Sequence, residues 1–178
     1  MKLKAQLLND ADINRVLKRI AHQILEKNRG TKDLCLIGIK SRGVPLAQRL
    51  AQYIFEIDSN TVDVGELDIT HYRDDREKRE DGTVITGTKV DFDIKGKTVV
   101  LVDDVIFTGR TARCALDAVL DLGRPAKIQL CVLIDRGHSE LPIKANFVGK
   151  NIPTSLDEEV AVRLIEYDGE NSVAIYTK

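Results

Sequence analysis

The sequence predicts an α/β fold, a mainly parallel twisted sheet flanked by helices, on three observations. Short apolar runs, "LCLIGI" (34–39), "TVVLV" (98–102) and "KIQLCVLID" (127–135), read as strands buried on both faces. Between them lie segments whose apolar residues recur at helical spacing. The chain of 178 residues with 43% hydrophobic side chains fits one compact domain spanning 1–178. Strands alternating with helices imply right-handed parallel crossovers, which puts ligands at the carboxyl ends of the strands.

Taken in order, Ile13, Val16, Leu17, Ile20, Ile24 and Leu25 predict an amphipathic helix over 10–28, with Asp10 as cap and Gly30 as stop. The strand 34–39 leads through Ser41-Arg42-Gly43 into a helix carrying Val44, Leu46, Leu50 and Ile54. A strand is expected within 61–70, and "HYRDDREKREDG" after it, almost without apolar side chains, is a loop. "TVITGTKVDFDIKG" alternates in part like a hairpin arm before the strand 98–102. The next helix carries Ala112, Ala115, Leu116, Val119 and Leu120 and ends near Gly123 and Pro125. After the strand 127–135 the rhythm breaks at Pro142 and Pro153, with short strand-like pieces near 160–166 and 173–176.

A net charge of -1 gives no global attraction to nucleic acid, so any such binding needs a local basic face. No apolar window is long enough to cross a bilayer, and Gln6, Asn9 and Asp10 interrupt the start before a signal core forms. Cys35, Cys114 and Cys131 form no CxxC pair and read as buried thiols of a reducing cytoplasm.

The chemistry concentrates in "VVLVDDVIFTGRT" (99–111). Asp103 and Asp104 end an apolar strand, where two carboxylates can hold a ribose diol or magnesium-bound hydroxyls. Thr108, Gly109, Arg110 and Thr111 follow at a helix start, bringing amides, hydroxyls and a glycine that permits close approach, a phosphate cradle. A carboxylate merely capping that helix is the simpler assignment, but it needs neither the acidic pair nor the hydroxyl-glycine run. Gly96-Lys97-Thr98 lacks the upstream glycine of a Walker loop, since Asp91 stands there.

This stretch resembles the phosphoribosyl pyrophosphate (PRPP) loop of type I phosphoribosyltransferases. The resemblance assigns Val99, Val100, Leu101, Val102, Asp103, Asp104, Val105, Ile106, Phe107, Thr108, Gly109, Arg110 and Thr111 to PRPP binding. It implies magnesium bound with PRPP and no direct protein ligand beyond Asp103 and Asp104. Lys40, Ser41, Arg42 and Gly43 of "GIKSRG" match the family's pyrophosphate loop. "THYRDDREKRED" resembles its flexible lid, with Tyr72, Arg73 and Arg79 reaching leaving-group oxygens. Arg42, Tyr72, Arg73 and Asp104 are the implied catalytic set.

The tail "DRGHSELPIKANFVGKNIPTS", with "RIAHQILE", "GELDITHYRDD" and "DLGRPAKIQL", closely resembles the PyrR family of bifunctional pyrimidine-operon attenuators and uracil phosphoribosyltransferases. The match spans nearly the whole chain. It implies a small hood formed mainly by 136–178, uracil bordered by Arg136 and the backbone near Val160, UMP as product, and a leader-RNA stem-loop as second ligand. It also implies a homodimer or larger homo-oligomer. Lys18, Arg19 and His22 fall at helical spacing opposite the core stripe and, with His138 and Lys144, are the RNA candidates. RNA-binding members commonly carry threonine where this chain has Lys18, and arginine where it has Ser139 and Lys144. Arginine's planar fork is stronger at phosphates and base edges. A nucleotide-sensing RNA module with weak activity and a purine salvage transferase are the competing assignments.

Overall fold

The computed structural model describes residues 1–72 and 87–177. The elements are β1 (Lys2–Leu8), α1 (Asp10–Asn28), β2 (Leu34–Ile39), α2 (Gly43–Asp58), β3 (Asp63–Leu67), β4 (Thr98–Ile106), α3 (Arg110–Leu122), β5 (Lys127–Asp135), β6 (Phe147–Asn151), β7 (Glu158–Arg163), α4 (Ile165–Asp168) and β8 (Ser172–Thr177). Five parallel strands form the main sheet in the order β3-β2-β4-β5-β6. The strand carrying the acidic pair therefore lies at its centre.

Period-two alternation sorts the strand residues between two cores. Leu36, Val100, Val102 and Leu133 face α1 and α2, packing on Ile13, Leu17, Ile20, Leu46 and Leu50. Ile37, Leu101 and Val132 face α3 and pack on Ala115 and Val119. The three cysteines are buried thiols outside any disulfide, as expected. No helix of the described residues is long and apolar enough to cross a membrane.

The hood is a second, antiparallel sheet in the order β1-β8-β7. Two of its strands come from 136–178, and the N-terminal strand β1 supplies one edge from outside that span. Leu164, Val162 and Val173 bury their side chains in the core on the α1–α2 side and so weld the hood to the main sheet.

Local differences have local causes. Asn9, not Asp10, caps α1: its Oδ1 accepts from the Asp12 amide (2.9 Å) while Asp12 Oδ2 accepts from the Asn9 amide (3.1 Å), a reciprocal capping box. Asp10 is the first helical residue and accepts from Asn171 Nδ2 at 2.6 Å. The strand expected within 61–70 covers only Asp63–Leu67, and Thr70–Tyr72 form a single 3-10 turn. The piece expected at 160–166 ends at Arg163, with Glu166 in α4. Of the expected hairpin arm, 83–86 lie outside the described residues, and Lys89 makes an isolated antiparallel bridge to Glu66.

Candidate active site

β4 runs past Val102 to Ile106, so Asp103 and Asp104 are strand residues at the carboxyl end of the central strand. Asp103 Oδ1 accepts from the Asp104 amide (2.9 Å) and Asp104 Oδ1 from the Val105 amide (2.8 Å). Neither caps α3. That position belongs to Gly109, at φ +91°, with no side-chain cap bond. Glycine adopts this left-handed backbone without Cβ strain, and the uncapped first turn of α3 presents amide donors. Asp103, Thr108, Gly109 and Thr111 line a hollow of about 130 Å³ at this turn, together with Val105, Ile106 and Phe107.

A second uncapped helix start lies beside the first. β2 neighbours β4, with Gly38 opposite Val102, so the loop after β2 meets the end of β4. A Cβ on Gly43 would sit 2.2 Å from the Val102 carbonyl oxygen, so only glycine brings α2 this close. The α2 cap position is Arg42, again with no side-chain cap bond, and the Lys40–Ser41 peptide is cis. Two helix N-termini thus flank two carboxylates, favouring a ligand with anionic groups at both ends of a polyol.

Burial and the neighbouring Asp104 charge push the Asp103 carboxyl well above the usual range. Burial also raises Asp104, opposed by its hydrogen bonds and by the positive charge of Arg42. A divalent cation fits this acceptor-only pair, because it relieves the repulsion. Among the described residues no group of three or more His, Cys, Asp or Glu could hold a metal, so most of its coordination would come from ligand oxygens and water.

The assigned residues separate into distinct roles. Val99, Val100, Leu101 and Val102 are buried in the two cores and position the loop rather than line the hollow. Arg110 turns its guanidinium to Glu140 (Nε–Oε2 3.1 Å), leaving its backbone at the helix start. Lys40 Nζ lies 3.6 Å from Glu66 Oε2. Arg42 forms a two-pronged ion pair with Asp168 of α4. Tyr72 donates its hydroxyl to Asp121 (2.7 Å) near the C-terminal end of α3, the end away from the acidic pair. Burial and that carboxylate push its phenol up to about 12. Arg73 and Arg79 lie outside the described residues.

Beyond the acidic pair, Asp135, Arg136, Gly137, His138 and residues 151–154 line a wider hollow of about 430 Å³. Arg136 is buried, its guanidinium 4.0 Å above the Phe107 ring. It donates from Nε to Thr154 Oγ1 (3.0 Å) and from Nη2 to the Glu158 carbonyl (2.7 Å). These bonds make it a strut between the end of β5 and the hood, at the border of the hollow. His138 meets Phe107 edge-on, centroids 5.7 Å apart, and bonds the Thr154 carbonyl. Val160 has its side chain in the core and pairs with Ile175 in the hood sheet. Sequence reasoning placed Phe107 in the PRPP loop but missed this stacking, which no local pattern signals.

The basic residues occupy three places. Lys18, Arg19 and His22 are exposed on α1, where Arg19 reaches across to the Gly149 carbonyl of β6. Lys144 is exposed in the β5–β6 crossover, bordering a cavity on the α3 side of the sheet. His138 lines the wider hollow and meets Phe107 edge-on.

Residues 4–166 match the phosphoribosyl transferase domain family. Over 172 residues the chain is 61% identical to the bifunctional protein PyrR of Pelotomaculum thermopropionicum, covering 97% of this chain and 95% of that one. The PyrR of Clostridioides difficile is 55% identical over 172 residues, 97% of each chain. A hypoxanthine-guanine phosphoribosyltransferase structure from Bacillus anthracis superposes with a TM-score of 0.70 at 21% identity, covering 98% of each chain, which shows the shared fold. Two helix starts closed around an acidic strand end are thus set in a type I phosphoribosyltransferase fold, and the chain is an enzyme of that class belonging to the PyrR family.

Proposed function

We propose that the chain transfers the phosphoribosyl group of PRPP to uracil, giving UMP and pyrophosphate. The observation that carries this reading is the pair of uncapped helix N-termini on either side of Asp103 and Asp104. Thr108 and Thr111, with the first amides of α3, grip the 5'-phosphate. Asp103 and Asp104 accept from the ribose hydroxyls. Lys40, Ser41, Arg42 and Gly43 receive the pyrophosphate, and Arg73 and Arg79 keep their sequence-based assignment to the leaving group.

The C1'–O bond to pyrophosphate breaks, a C1'–N1 bond to uracil forms, and the N1 proton is released. No side-chain nucleophile is needed. Asp104 stabilises the positive charge developing on the ribose, and Arg42 the negative charge developing on the leaving oxygens. Asp103 and Asp104 are the residues that would hold magnesium, which when bound would supply neutralisation of pyrophosphate charge. Uracil occupies the hollow over Arg136 and Phe107, with backbone near Val160 at its border.

The same chain, a homodimer in the cytoplasm, binds a leader-RNA stem-loop in response to UMP. The exposed cations of α1 support this part, since two copies would offer two basic faces. Assays with uracil, hypoxanthine and guanine test the base. UMP as the dominant product is expected, and a purine nucleotide would overturn the assignment. Leader-RNA binding titrated with salt, with and without UMP, tests the second activity, and absence of binding at low salt removes it.

A further inference from the structure

We propose that Asp168 is a positioning residue that holds Arg42 in the orientation needed to receive pyrophosphate, coupling the hood to the pyrophosphate loop. This rests on reading residues 40–43 as the pyrophosphate site. Arg42 Nε donates to Asp168 Oδ2 at 3.1 Å and Nη2 to Oδ1 at 2.6 Å. A side-on fork of this kind fixes the guanidinium plane while both Nη1 protons stay available. The Arg42 side chain makes no cap bond and retains 34% exposure, so its long stem would otherwise sample many rotamers.

The carboxylate that grips it is itself fixed. Asp168 Oδ2 also accepts from the Leu164 amide at 2.9 Å, closing the single turn of α4, and Leu164 is fully buried. The fork therefore runs from the loop to the hood core through one side chain. A second fork works as an internal comparison. Arg49, two turns along α2 from Arg42, donates from Nε to Glu166 Oε1 (2.9 Å) and from Nη2 to Oε2 (2.6 Å). Both forks strap α4 to α2, but only the first ends in the pyrophosphate loop.

Steady-state kinetics in both directions, on full-length protein, separate the two. Asp168→Asn is expected to raise KM for pyrophosphate in the reverse reaction and KM for PRPP in the forward one by about tenfold, the cost of ordering one freed arginine on binding. KM values for uracil and UMP stay within about twofold, because the base hollow is untouched. Asp168→Glu recovers part of the loss. Glu166→Gln releases the other strap and leaves pyrophosphate KM unchanged, while thermal melts report whether either variant loosens the fold. Adding Asp168→Asn to Arg42→Ala costs nothing further. Equal effects of Asp168→Asn and Glu166→Gln, an unchanged pyrophosphate KM, or tighter pyrophosphate binding by Asp168→Asn would each overturn the positioning role. If Arg42→Ala itself leaves pyrophosphate KM unchanged, the reading of residues 40–43 falls instead.

Discussion

The two ends of the active site are built by different routes. The end assigned to ribose and phosphate comes from one unbroken stretch, Asp103 to Thr111, where a strand stops and a helix begins. The hollow assigned to the base is assembled from the end of β5, residues 136–138 and residues 151–154, with Arg136 stacked on Phe107 and strutted to Glu158. A local segment can carry its own backbone donors and acceptors. A composite hollow depends on distant side chains holding one another in place, so substitutions should act on the two ends differently.

Asp104→Asn tests the local end most severely. UMP formation is expected to fall by about 10²- to 10³-fold in kcat/KM, the usual result of deleting a preorganised electrostatic group. Stability should move the other way. Both carboxyl groups are raised in the folded protein above the usual Asp value of 3.8, so the fold binds more protons than the unfolded chain. The stability tied to this pair is present at acid pH and is lost as pH rises through the raised folded values. The ligand-free wild type should thus lose thermal stability, relative to Asp104→Asn, as pH rises above the ordinary Asp range. Activity lost without a fall in Tm at neutral pH identifies a functional rather than a structural defect.

Gly109→Ala comes next. Its φ of +91° costs an L-residue about 1 to 2 kcal/mol, a Tm drop of roughly 2 to 8 °C. Gly96 has φ +72° and open space around its Cβ position, so Gly96→Ala pays a similar strain far from the hollow. PRPP KM should rise only for Gly109→Ala. Equal PRPP kinetics in the two variants would show that the left-handed turn serves the fold and not the phosphate.

Phe107→Ala probes the composite end from within the local stretch. Removing the ring takes away the platform 4.0 Å from the Arg136 guanidinium, a contact worth about 1 kcal/mol, so uracil KM should rise roughly fivefold. PRPP KM should rise less than uracil KM, although the ring also lines the smaller hollow. A larger effect on PRPP than on uracil would place Phe107 with the phosphate end and erase the contrast.

The same contrast governs what the sequence reveals. The runs 34–39 and 127–135 match β2 and β5 because strands buried on both faces have a continuous apolar signature. The place of Asp103 and Asp104 at the end of the central strand is legible because the apolar run before them and the glycine after them lie within a few residues. β1 and β6 were missed because both are edge strands, largely exposed in β1 and only five residues long in β6, and their partners define them. Asn9 was passed over for Asp10 because neighbouring side chains of equal capping ability differ only in backbone geometry. The Arg42–Asp168 fork spans 126 positions, and no pattern within either segment announces it.

The smallest effect concerns the α1 face. Lys18, Arg19 and His22 look equivalent on a helical wheel, yet Arg19 donates to the carbonyls of Gly149 and Val148 (3.4 Å to the latter) and to Gln23 Oε1 (3.2 Å). Those bonds dock α1 on the edge strand, so Arg19→Ala mixes packing with charge. Lys18 is exposed, and Lys18→Ala removes a charge with little else. If it contacts a phosphate, the slope of log K against log salt for leader RNA should fall by about one, with UMP formation unchanged. A slope equal to that of the wild type would place the RNA elsewhere, and Lys144→Ala, on the α3 side of the sheet, then becomes the variant that distinguishes the remaining surface.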